Sequence, residues 1–583
     1  KCRQPPHRIS DTHQIASGDR ADVLIGWGDA VVAGTPAHDL ENQTAAAQSG
    51  QFGTNNDFIG YLPLPTESRQ SAHGLLCVNH EYANAELMWP GLTRSDKFEK
   101  MTAAMAAVEM AAHGHSVIEV KRHAGRWSVT SDSRFARRIT ATTPIRISGP
   151  AAGHARLKTA ADTTGKQALG TINNCAGGVT PWGTVLIAEE NFHGYFTGDP
   201  EGTPEAMNHA RMGLKGRPWY AWGRFDARFD VSREPREPNR FGWIVEIDPY
   251  DPNAVPVKRT ALGRFKHEGA NVALDISGRA VAYTGDDQAN EYLYKFVSKD
   301  RMEPARRDAN RRLLDRGTLF VARFDSDGTL IWLPLTWGTA PLDQANGFAS
   351  QADVLIETRR AADLLGATPM DRPEDVEANP VNGRVYVMLT NNTRRDFGDD
   401  GANPRGPNPN GHVLEIIPPG AEGEGANNSV GHASPQASWR ILLKAGDPSA
   451  AHDAEYHPAT AEFGSWLAAP DNCAFDNHGR LWIATDQGSK QRRNNIPDGL
   501  YGCDVAGPGR ALPRLLFACP KGAEMCGPAF TPDNTTLFCA VQHPGEGSTF
   551  DAPSTRWPDF DPRRPPRAGV VAITRPDGKP IGE

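Results

Sequence analysis

One hairpin pattern recurs along the chain, and it constrains the fold more than any other feature of the sequence. Each copy has a polar or acidic start, a short apolar strand, a turn such as D-x-x-G or N-x-x-G, and a second apolar strand with a polar end. The copies are NNCAGGVTPWGTVLIAEENF (173–192), EGANVALDISGRAVAYTGDD (268–287), PEDVEANPVNGRVYVMLTNN (373–392), PDNCAFDNHGRLWIATDQG (470–488) and, more loosely, GPAFTPDNTTLFCAVQHPG (527–545). Further short strands follow each hairpin, and about four antiparallel strands per repeat are typical of propeller blades.

The number of hairpins predicts an all-β propeller of five or six blades, with long insertions in loops such as 301–316 and 396–410. Residues 1–130 are less regular: they contain strand-like segments and one predicted helix, Lys97–Ala112, that ends at His113-Gly114. We interpret 1–130 as a part that completes a blade and carries a short helical insertion, and 131–583 as the main blades of one domain spanning 1–583. A sandwich or a jelly roll is less favoured because the repeat has two parts.

The overall charge and composition exclude several classes of partner. The 583 residues include 62 basic and 70 acidic side chains, which gives a net charge of −8, and no basic stripe suggests nucleic acid. No apolar run is long enough to span a bilayer, and this numbering begins without an export signal.

The eight cysteines do not form a dense framework, although Cys519 and Cys526 are close enough in sequence for a loop disulfide.

Acidic side chains occupy equivalent places in the successive repeats. The starts of the first strands hold Glu268, Glu374 and Asp471, and the ends of the second strands hold Glu189-Glu190-Asn191, Asp286-Asp287, Asn391-Asn392 and Asp486. In a propeller these positions converge on one mouth of the central channel, where carboxylates repel one another unless they are protonated or neutralised by metal ions.

The types of donor indicate which metals these positions would bind. Oxygen donors suit calcium or magnesium, whereas the thiol of Cys175 together with Glu190 suggests a softer ion such as iron or zinc. Any one of these residues alone is more often a core cysteine or a turn cap, but the equivalent placement of the whole set favours metal binding.

Two further segments of the sequence are compatible with roles at this site. Arg372 lies two residues before Glu374, on the same side of an extended segment, and it suits either an oxyanion such as phosphate or a salt bridge that orients Glu374. In VNHEYAN, His80 and Glu81 are candidate accessory ligands or rim residues.

Several of these motifs together resemble the PhoX family of secreted bacterial alkaline phosphatases. They are NNCAGGVTPWGTVLIAEEN, HEGANVAL, YTGDD, DRPEDVE and APDNCAFD followed by GRLWIATDQG, and they span about 173–488. The resemblance implies a six-bladed β-propeller that carries two Fe³⁺ ions and three Ca²⁺ ions around a bridging oxo group. It also implies hydrolysis of phosphomonoesters and export by the twin-arginine route.

Matched residue by residue, the resemblance implies roles for six side chains. Cys175 would be an iron ligand, Arg372 would contact the phosphoryl group, and Glu190, Glu268, Glu374 and Asp471 would hold iron and calcium. We assign Asp286, Asp287 and Asn191 to the calcium shell from their positions alone. In RPEDVE, Glu377 is a rival to Glu374 as ligand.

The sequence therefore predicts a periplasmic or secreted, monomeric alkaline phosphatase whose substrates are small phosphomonoesters, with Arg372 and Glu374 as catalytic residues. One alternative is a calcium-dependent propeller hydrolase of the phytase or lactonase kind, in which Cys175 would have no role. The other alternative is a calcium-stabilised propeller that binds a partner without catalysis.

Overall fold

Strands dominate the computed structural model, which describes residues 3–214, 218–397, 401–423, 425, 429–450, 453–488 and 491–583. The strands of the first half are β1 (Gln14–Ile15), β2 (Arg20–Gly26), β3 (Asn56–Pro63), β4 (His73–His80), β5 (Gly114–His123), β6 (Arg126–Val129), β7 (Arg137–Ile139), β8 (Pro144–Ser148), β9 (Gln167–Leu169), β10 (Asn174–Val179), β11 (Val185–Glu189), β12 (Ile244–Ile247), β13 (Val257–Arg259), β14 (His267–Leu274) and β15 (Arg279–Asp286). The strands of the second half are β16 (Leu293–Arg301), β17 (Gly317–Phe324), β18 (Thr329–Pro334), β19 (Pro373–Ala378), β20 (Val385–Leu389), β21 (His412–Ile417), β22 (Gln436–Lys444), β23 (Pro470–Phe475), β24 (Leu481–Thr485), β25 (Gly499–Cys503), β26 (Pro513–Ala518), β27 (Glu524–Phe530), β28 (Thr536–Gln542) and β29 (Gly569–Thr574).

The helices are short and lie in the connections between strands. They are α1 (Ala45–Gln48), α2 (Ala85–Met88), α3 (Lys97–Lys100), α4 (Ala103–Ala112), α5 (Ala206–Arg211), α6 (Gln351–Ile356), α7 (Thr358–Leu365), α8 (Thr460–Phe463) and α9 (Gln491–Asn494). Among the described residues, no helix has both the length and the apolar character needed to cross a bilayer.

The strands form mostly antiparallel sheets that run outward from an inner strand. The strand orders are β3-β4-β5-β6, β10-β11-β12-β13-β8-β9, β23-β24-β25-β26-β1 and β27-β28-β29-β2, and a larger sheet has the order β14-β15-β16-β17-β18-β22-β21-β20-β19. The larger sheet has a hairpin of the recurring pattern at each of its two ends, so we interpret it as two strand sets joined through β18 and β22.

The inner strands of these sheets form a closed ring. β3 contacts β10, β10 contacts β14, and the contacts continue through β19, β23 and β27 back to β3. The all-β, propeller-like fold predicted from the sequence is thereby confirmed. We count six inner strands over the described residues, and the number of blades stays a prediction.

The N-terminal region closes the ring by adding strands to sheets that the C-terminal region begins. β2 pairs with β29, with Ile25 opposite Val570, and β1 pairs with β26. Residues before 130 also supply four strands of one sheet, β3 to β6, and β7 adds a fifth by pairing with β5. The assignment of 1–130 as a blade-completing part and the single domain spanning 1–583 both stay predictions.

One local expectation differs from the structure, one is described by it in full, and one extends beyond the described residues. The predicted helix Lys97–Ala112 is two helices, α3 and α4, because Thr102 has extended backbone angles and its side chain caps α4 by accepting from the Met105 amide at 3.2 Å. The predicted insertion 301–316 contains a 3₁₀ helix, Arg307–Asp315. The predicted insertion 396–410 includes 398–400, which lie outside the described residues.

Apolar side chains from neighbouring sheets pack between the blades. Phe538 of β28 stacks on Tyr61 of β3 with ring centroids 5.9 Å apart, and Trp127 of β6 meets the same Phe538 edge-on.

Cys519 and Cys526 are both free thiols, and they lie in different apolar clusters, so the loop disulfide considered from the sequence is absent.

Candidate metal centre

Each inner strand presents a metal-ligand type of side chain near its first residue. The second residue is Asp57 in β3, Cys175 in β10, Glu268 in β14, Glu374 in β19 and Asp471 in β23, and β27 carries Glu524 and Cys526. Every one of these side chains is less than a tenth exposed. Because the starts of the inner strands lie at one end of the ring, the side chains converge on one mouth of the channel.

A register shift near the start of each inner strand accompanies this placement. The pairing of β3 with β4 shifts between Asn56 and Ile59, and that of β23 with β24 shifts between Pro470 and Cys473. The pairs led by β10, β14, β19 and β27 shift at comparable places. Such bulges change the direction of side chains and often lie beside functional sites.

The ends of the second strands add donors to the same mouth. Glu81, Glu190, Asp287 and Asp486 each follow directly after β4, β11, β15 and β24, respectively. In an antiparallel hairpin, the end of the second strand lies beside the start of the first. The two sets of acidic residues therefore meet.

Five overlapping groups of three residues place their ligand atoms within 4.8 Å of one another. The groups are Asp57–Glu524–Cys526, Asp57–Glu81–Cys175, Cys175–Glu190–Glu268, Glu268–Glu374–Asp471 and Asp471–Asp486–Glu524. Each group shares at least one residue with another group, so they form one continuous cluster, which we call the axial cluster.

Close polar contacts hold the centre of the axial cluster together. The Sγ of Cys175 lies 3.2 Å from Glu268 Oε1 and 3.4 Å from Asp57 Oδ2. The amide of Gln542 donates to Asp57 Oδ2 at 2.8 Å and to Glu81 Oε2 at 3.0 Å. These contacts bring side chains from four strands to one point.

Burial and mutual repulsion disfavour the charged form of the cluster's carboxyls. Burial raises the pKa of Asp57 to about 6 and that of Glu81 to about 8. Burial, followed by repulsion from neighbouring acidic groups, also raises the pKa values of five more carboxyls well above their ordinary range. These are Glu190, Glu268, Asp471, Glu524 and Glu374. At Glu374, the Arg372 guanidinium partly offsets the rise in pKa. At alkaline pH such a set is stable only with cations among its oxygens.

The donor set fits a mixture of hard and soft metal ions. Carboxylate oxygens are the preferred ligands of calcium, and the thiols of Cys175 and Cys526 suit iron or zinc. Asp57 is fully buried, and its Oδ1 has no hydrogen-bond partner among the described residues. A buried carboxylate oxygen without a partner is costly, and a bound cation would satisfy it.

Arg372 borders the axial cluster and is held there by two carboxylates. Its Nε and Nη2 donate to the two oxygens of Asp287 at 2.8 and 2.6 Å, and its Nη2 lies 2.8 Å from Glu374 Oε1. Although burial opposes it, the Arg372 guanidinium lowers the pKa of Asp287. The salt bridge that the sequence suggested for Arg372 is therefore present.

The remaining predicted residues lie in different surroundings. Asp286 accepts hydrogen bonds from Arg359 of α7 at 2.5 and 2.8 Å, and both side chains are fully buried. Glu377 is half-buried and accepts from Asn271 Nδ2 at 2.7 Å, whereas Glu374 lies in the axial cluster. Asn191 is half-buried and donates through its side chain to Glu190.

A cavity of about 460 Å³ opens onto the axial cluster. Its lining includes carboxylates of the cluster, such as those of Glu268 and Glu374, together with Arg372 and the rings of Tyr82 and Trp219. The cavity therefore has room for a small ester with its anionic end at the cluster.

The sequence pattern of the family described as alkaline phosphatase PhoX matches residues 4–545. The chain belongs to the PhoX family of alkaline phosphatases.

One solved structure agrees with this membership. It is Pseudomonas fluorescens PhoX in complex with vanadate, a transition-state analogue; it is 40% identical, covers 100% of this chain and 99% of its own, and superposes with a TM-score of 0.88. A protein of unknown function from Dyadobacter fermentans is 8% identical, with a TM-score of 0.38, over 96% of this chain and 100% of its own. No curated protein matches the chain.

The PhoX membership confirms the resemblance seen in the sequence, and with it the predicted activity. The protein is a phosphatase that hydrolyses small phosphomonoesters. The non-enzymatic alternative considered from the sequence is therefore wrong.

Three members of the axial cluster in this PhoX chain were not found from the sequence. Asp57 lies in NNDFIGYLP, which together with HGLLCVNHEY forms a hairpin of the recurring pattern; the end of that hairpin holds Glu81, which the sequence indicated as a candidate accessory ligand. Glu524 and Cys526 lie in AEMCGPAF, just before the point at which we began the last copy of the pattern. Aligning the acidic starts of all the hairpins would have found them.

Proposed function

We propose that the axial cluster is the catalytic centre of this phosphatase and that it holds several metal ions. The observation that carries this proposal is the continuity of the five ligand groups, which draw on all six inner strands at one mouth of the ring. An acidic cluster of this size, buried and opening onto a cavity, has no stable charged state at alkaline pH without cations.

The proposed ligand set extends the set predicted from the sequence. Cys175, Glu190, Glu268, Glu374 and Asp471 are retained, and Asp57, Glu81, Asp486 and Glu524 are added because they share the same groups. Asp287 and Asn191 border the cavity and stay candidates for the calcium shell. Asp286 is dropped, because Arg359 already occupies both of its oxygens.

We propose two Fe³⁺ ions, three Ca²⁺ ions and a bridging oxo group for this ligand set. When bound, these ions would neutralise the negative charge of the phosphoryl group and activate the attacking oxygen. The buried Cys175 thiol inside the cluster favours this mixed composition over a calcium-only centre of the phytase or lactonase kind.

Arg372 positions and stabilises the phosphoryl group in this proposal. Asp287 and Glu374 occupy its Nε and Nη2, which leaves the Nη1 donors available, within the described residues, for phosphoryl oxygens. A guanidinium is planar and permanently charged, so it can meet the charge that develops on the equatorial oxygens. Glu374 holds the guanidinium in place and is at the same time a proposed metal ligand.

The side chains around the cavity have separate parts in binding. Tyr82, Phe98 and Trp219 also line the cavity, and in this proposal their aromatic rings would contact the leaving group. Gln542 and Asn472 donate hydrogen bonds to Asp57 and Glu268 and so fix the positions of these carboxylates.

The decisive experiment is a hydrolysis assay with a chromogenic aryl phosphate at alkaline pH. We expect turnover that a calcium chelator abolishes, that added calcium restores and that zinc alone does not restore. Vanadate should inhibit, since a PhoX relative is known in complex with it as a transition-state analogue. Full turnover in excess chelator would contradict the proposal.

Variants of two buried thiols separate the role of the cluster from general stability. Cys175→Ser should lose about one transition-metal ion per chain and most activity, whereas Cys539→Ala, at a buried thiol in an apolar cluster, should keep both. A Cys175→Ser protein with full activity would remove the soft metal from the proposal.

We further propose that the protein acts as a monomer in the periplasm or outside the cell. The support for export is the resemblance to secreted phosphatases described above. Size-exclusion chromatography with light scattering, and fractionation of the native host, test the two parts.

A further inference from the structure

A second thiol reaches the axial cluster from the last inner strand. Cys526 of β27 is fully buried, and its Sγ donates to Glu524 Oε1 at 3.1 Å. The Nε2 of Gln542 lies 3.7 Å from the same sulfur. The family resemblance accounts for one cysteine, Cys175, and leaves Cys526 without a role.

Asp57 connects the two thiols. One of its oxygens lies within 4.8 Å of ligand atoms of Glu81 and Cys175, and one lies as near to ligand atoms of Glu524 and Cys526. Its Oδ2 already accepts from Gln542 and contacts the Cys175 sulfur. Its Oδ1 has no partner among the described residues, although Asp57 is fully buried.

The side chain of Gln542, which donates to Asp57, has a second buried oxygen without a hydrogen-bond partner. Its Nε2 donates to Asp57 and Glu81, but its Oε1 is buried and has no partner among the described residues. Two buried oxygens without hydrogen-bond donors, beside a thiol, indicate that a cation binds at this point.

We propose that Asp57, Glu524 and Cys526 bind a second metal ion through sulfur, so that two ions of the centre have a thiolate ligand and Asp57 lies between them. A donor set of one sulfur and two carboxylate groups suits iron or zinc and is a poor site for calcium. This inference rests on the metal centre proposed above and assigns one more of its ligands.

The competing explanation is that the Cys526 thiol only donates a hydrogen bond, to Glu524 or to Asp57. Serine distinguishes the two, because its hydroxyl keeps the hydrogen bond but is a poor ligand for a soft metal. Cys539→Ala is the matched control, since Cys539 is an equally buried thiol on the neighbouring β28.

The experiment measures sulfur ligation in the purified, metal-loaded protein. Elemental analysis identifies the transition metals, and X-ray absorption at the edge of each metal counts its sulfur neighbours. In Cys526→Ser we expect the sulfur signal to fall by about half and the transition-metal content by about one ion per chain, and the same in Cys175→Ser. Cys539→Ala should match the wild type.

The outcomes separate this inference from the proposed function. If Cys526→Ser keeps the full sulfur signal and metal content, the inference is wrong while the metal centre stands. If the wild type contains no transition metal, both fail. Should Cys526→Ser not fold, the wild type decides alone: a single sulfur neighbour per chain would refute the second thiolate, and two would support it.

Discussion

At the scale of single residues, Arg372 has a conformation that its surroundings must maintain. Its φ of 55° lies in the left-handed region, which costs a residue with a side chain roughly 1–2 kcal/mol. Asp287 and Glu374 hold its guanidinium at three contacts of 2.8 Å or less. Strain of this kind is maintained where positioning matters, which agrees with a role for Arg372 in binding the phosphoryl group.

Arg372→Lys tests this role while it preserves charge. Lysine has no planar fork, so it cannot contact Asp287 and the phosphoryl group together, and we expect kcat/KM to fall about 100-fold. Steady-state kinetics with an aryl phosphate measures the effect, and Arg563→Lys, at an exposed arginine, is the control. Equal activity of Arg372→Lys and wild type would refute the role.

The neighbours Asp286 and Asp287 should respond differently to the same substitution. Asp286→Asn breaks a fully buried pair with Arg359, so the free energy of unfolding should fall by about 3–5 kcal/mol while metal content persists. Asp287→Asn frees Arg372 and should lower kcat/KM with little loss of stability. Denaturant titration and kinetics on both variants provide the measurements, and identical profiles would contradict the assignment.

At the scale of elements, the tight approach of β27 to β3 positions Asp57. Gly527 has a φ of 54°, and a Cβ there would lie 2.3 Å from the backbone oxygen of Asp57. Gly338 also has a positive φ, of 88°, but a Cβ there would meet no atom within 4 Å. Alanine substitutions at these two glycines therefore distinguish the effect of backbone strain alone from the effect of a steric clash beside the axial cluster.

Gly527→Ala should displace Asp57 and lower both stability and metal content. Gly338→Ala should cost only the left-handed strain, roughly 1–2 kcal/mol, and keep the full metal content. Thermal unfolding and elemental analysis of the two variants test this. A Gly527→Ala protein that retained all its metal would show that Asp57 does not depend on this contact.

The sequence predicted the hairpins well because each copy combines apolar alternation with a polar turn. It failed at element boundaries: Glu524 and Cys526 lie just before the copy that we began at Gly527, and Thr102 divides the predicted helix. Side chains alternate in direction along a strand, so Asp286 and Asp287 cannot both face the cluster. The sequence could not show which one does, because the partner of Asp286 is Arg359, 73 residues away.

At the scale of the whole molecule, the axial cluster comes together only when the ring is closed. Its side chains come from strands between β3 and β27, and Gln542, which donates to Asp57, is 485 residues away from it in sequence. Because the repeats are equivalent, the convergence of their acidic residues on one mouth of the ring could be predicted from the sequence. The pairing of β2 with β29 could not be predicted, because it joins the two ends of the chain.

The axial cluster should make stability depend on pH in opposite directions with and without metal. Burial raises the pKa of Asp57 to about 6 and of Glu81 to about 8, above the value of about 4 in unfolded chains. Between about pH 4 and about pH 8, the metal-free folded state therefore binds more protons than the unfolded state. The stability of the chelated protein consequently falls as the pH rises. Bound cations hold the native carboxylates ionised, so the stability of the loaded protein falls as the pH is lowered.

Thermal unfolding at about pH 5 and about pH 8, with and without chelator, tests this reversal. The chelated protein should have its higher midpoint at the lower pH, and the metal-loaded protein at the higher pH. Parallel pH profiles in the two states would show that the cluster's carboxyls are not the metal ligands.

The most direct test of the central claim is elemental mass spectrometry of the purified, active protein, expressed as metal ions per chain. The account predicts calcium together with at least one transition metal in the wild type, and the loss of both metal and activity in Glu268→Gln, at a carboxylate shared by two of the ligand groups. A fully active chain without bound metal, or a Glu268→Gln variant with the metal content and activity of the wild type, would contradict it.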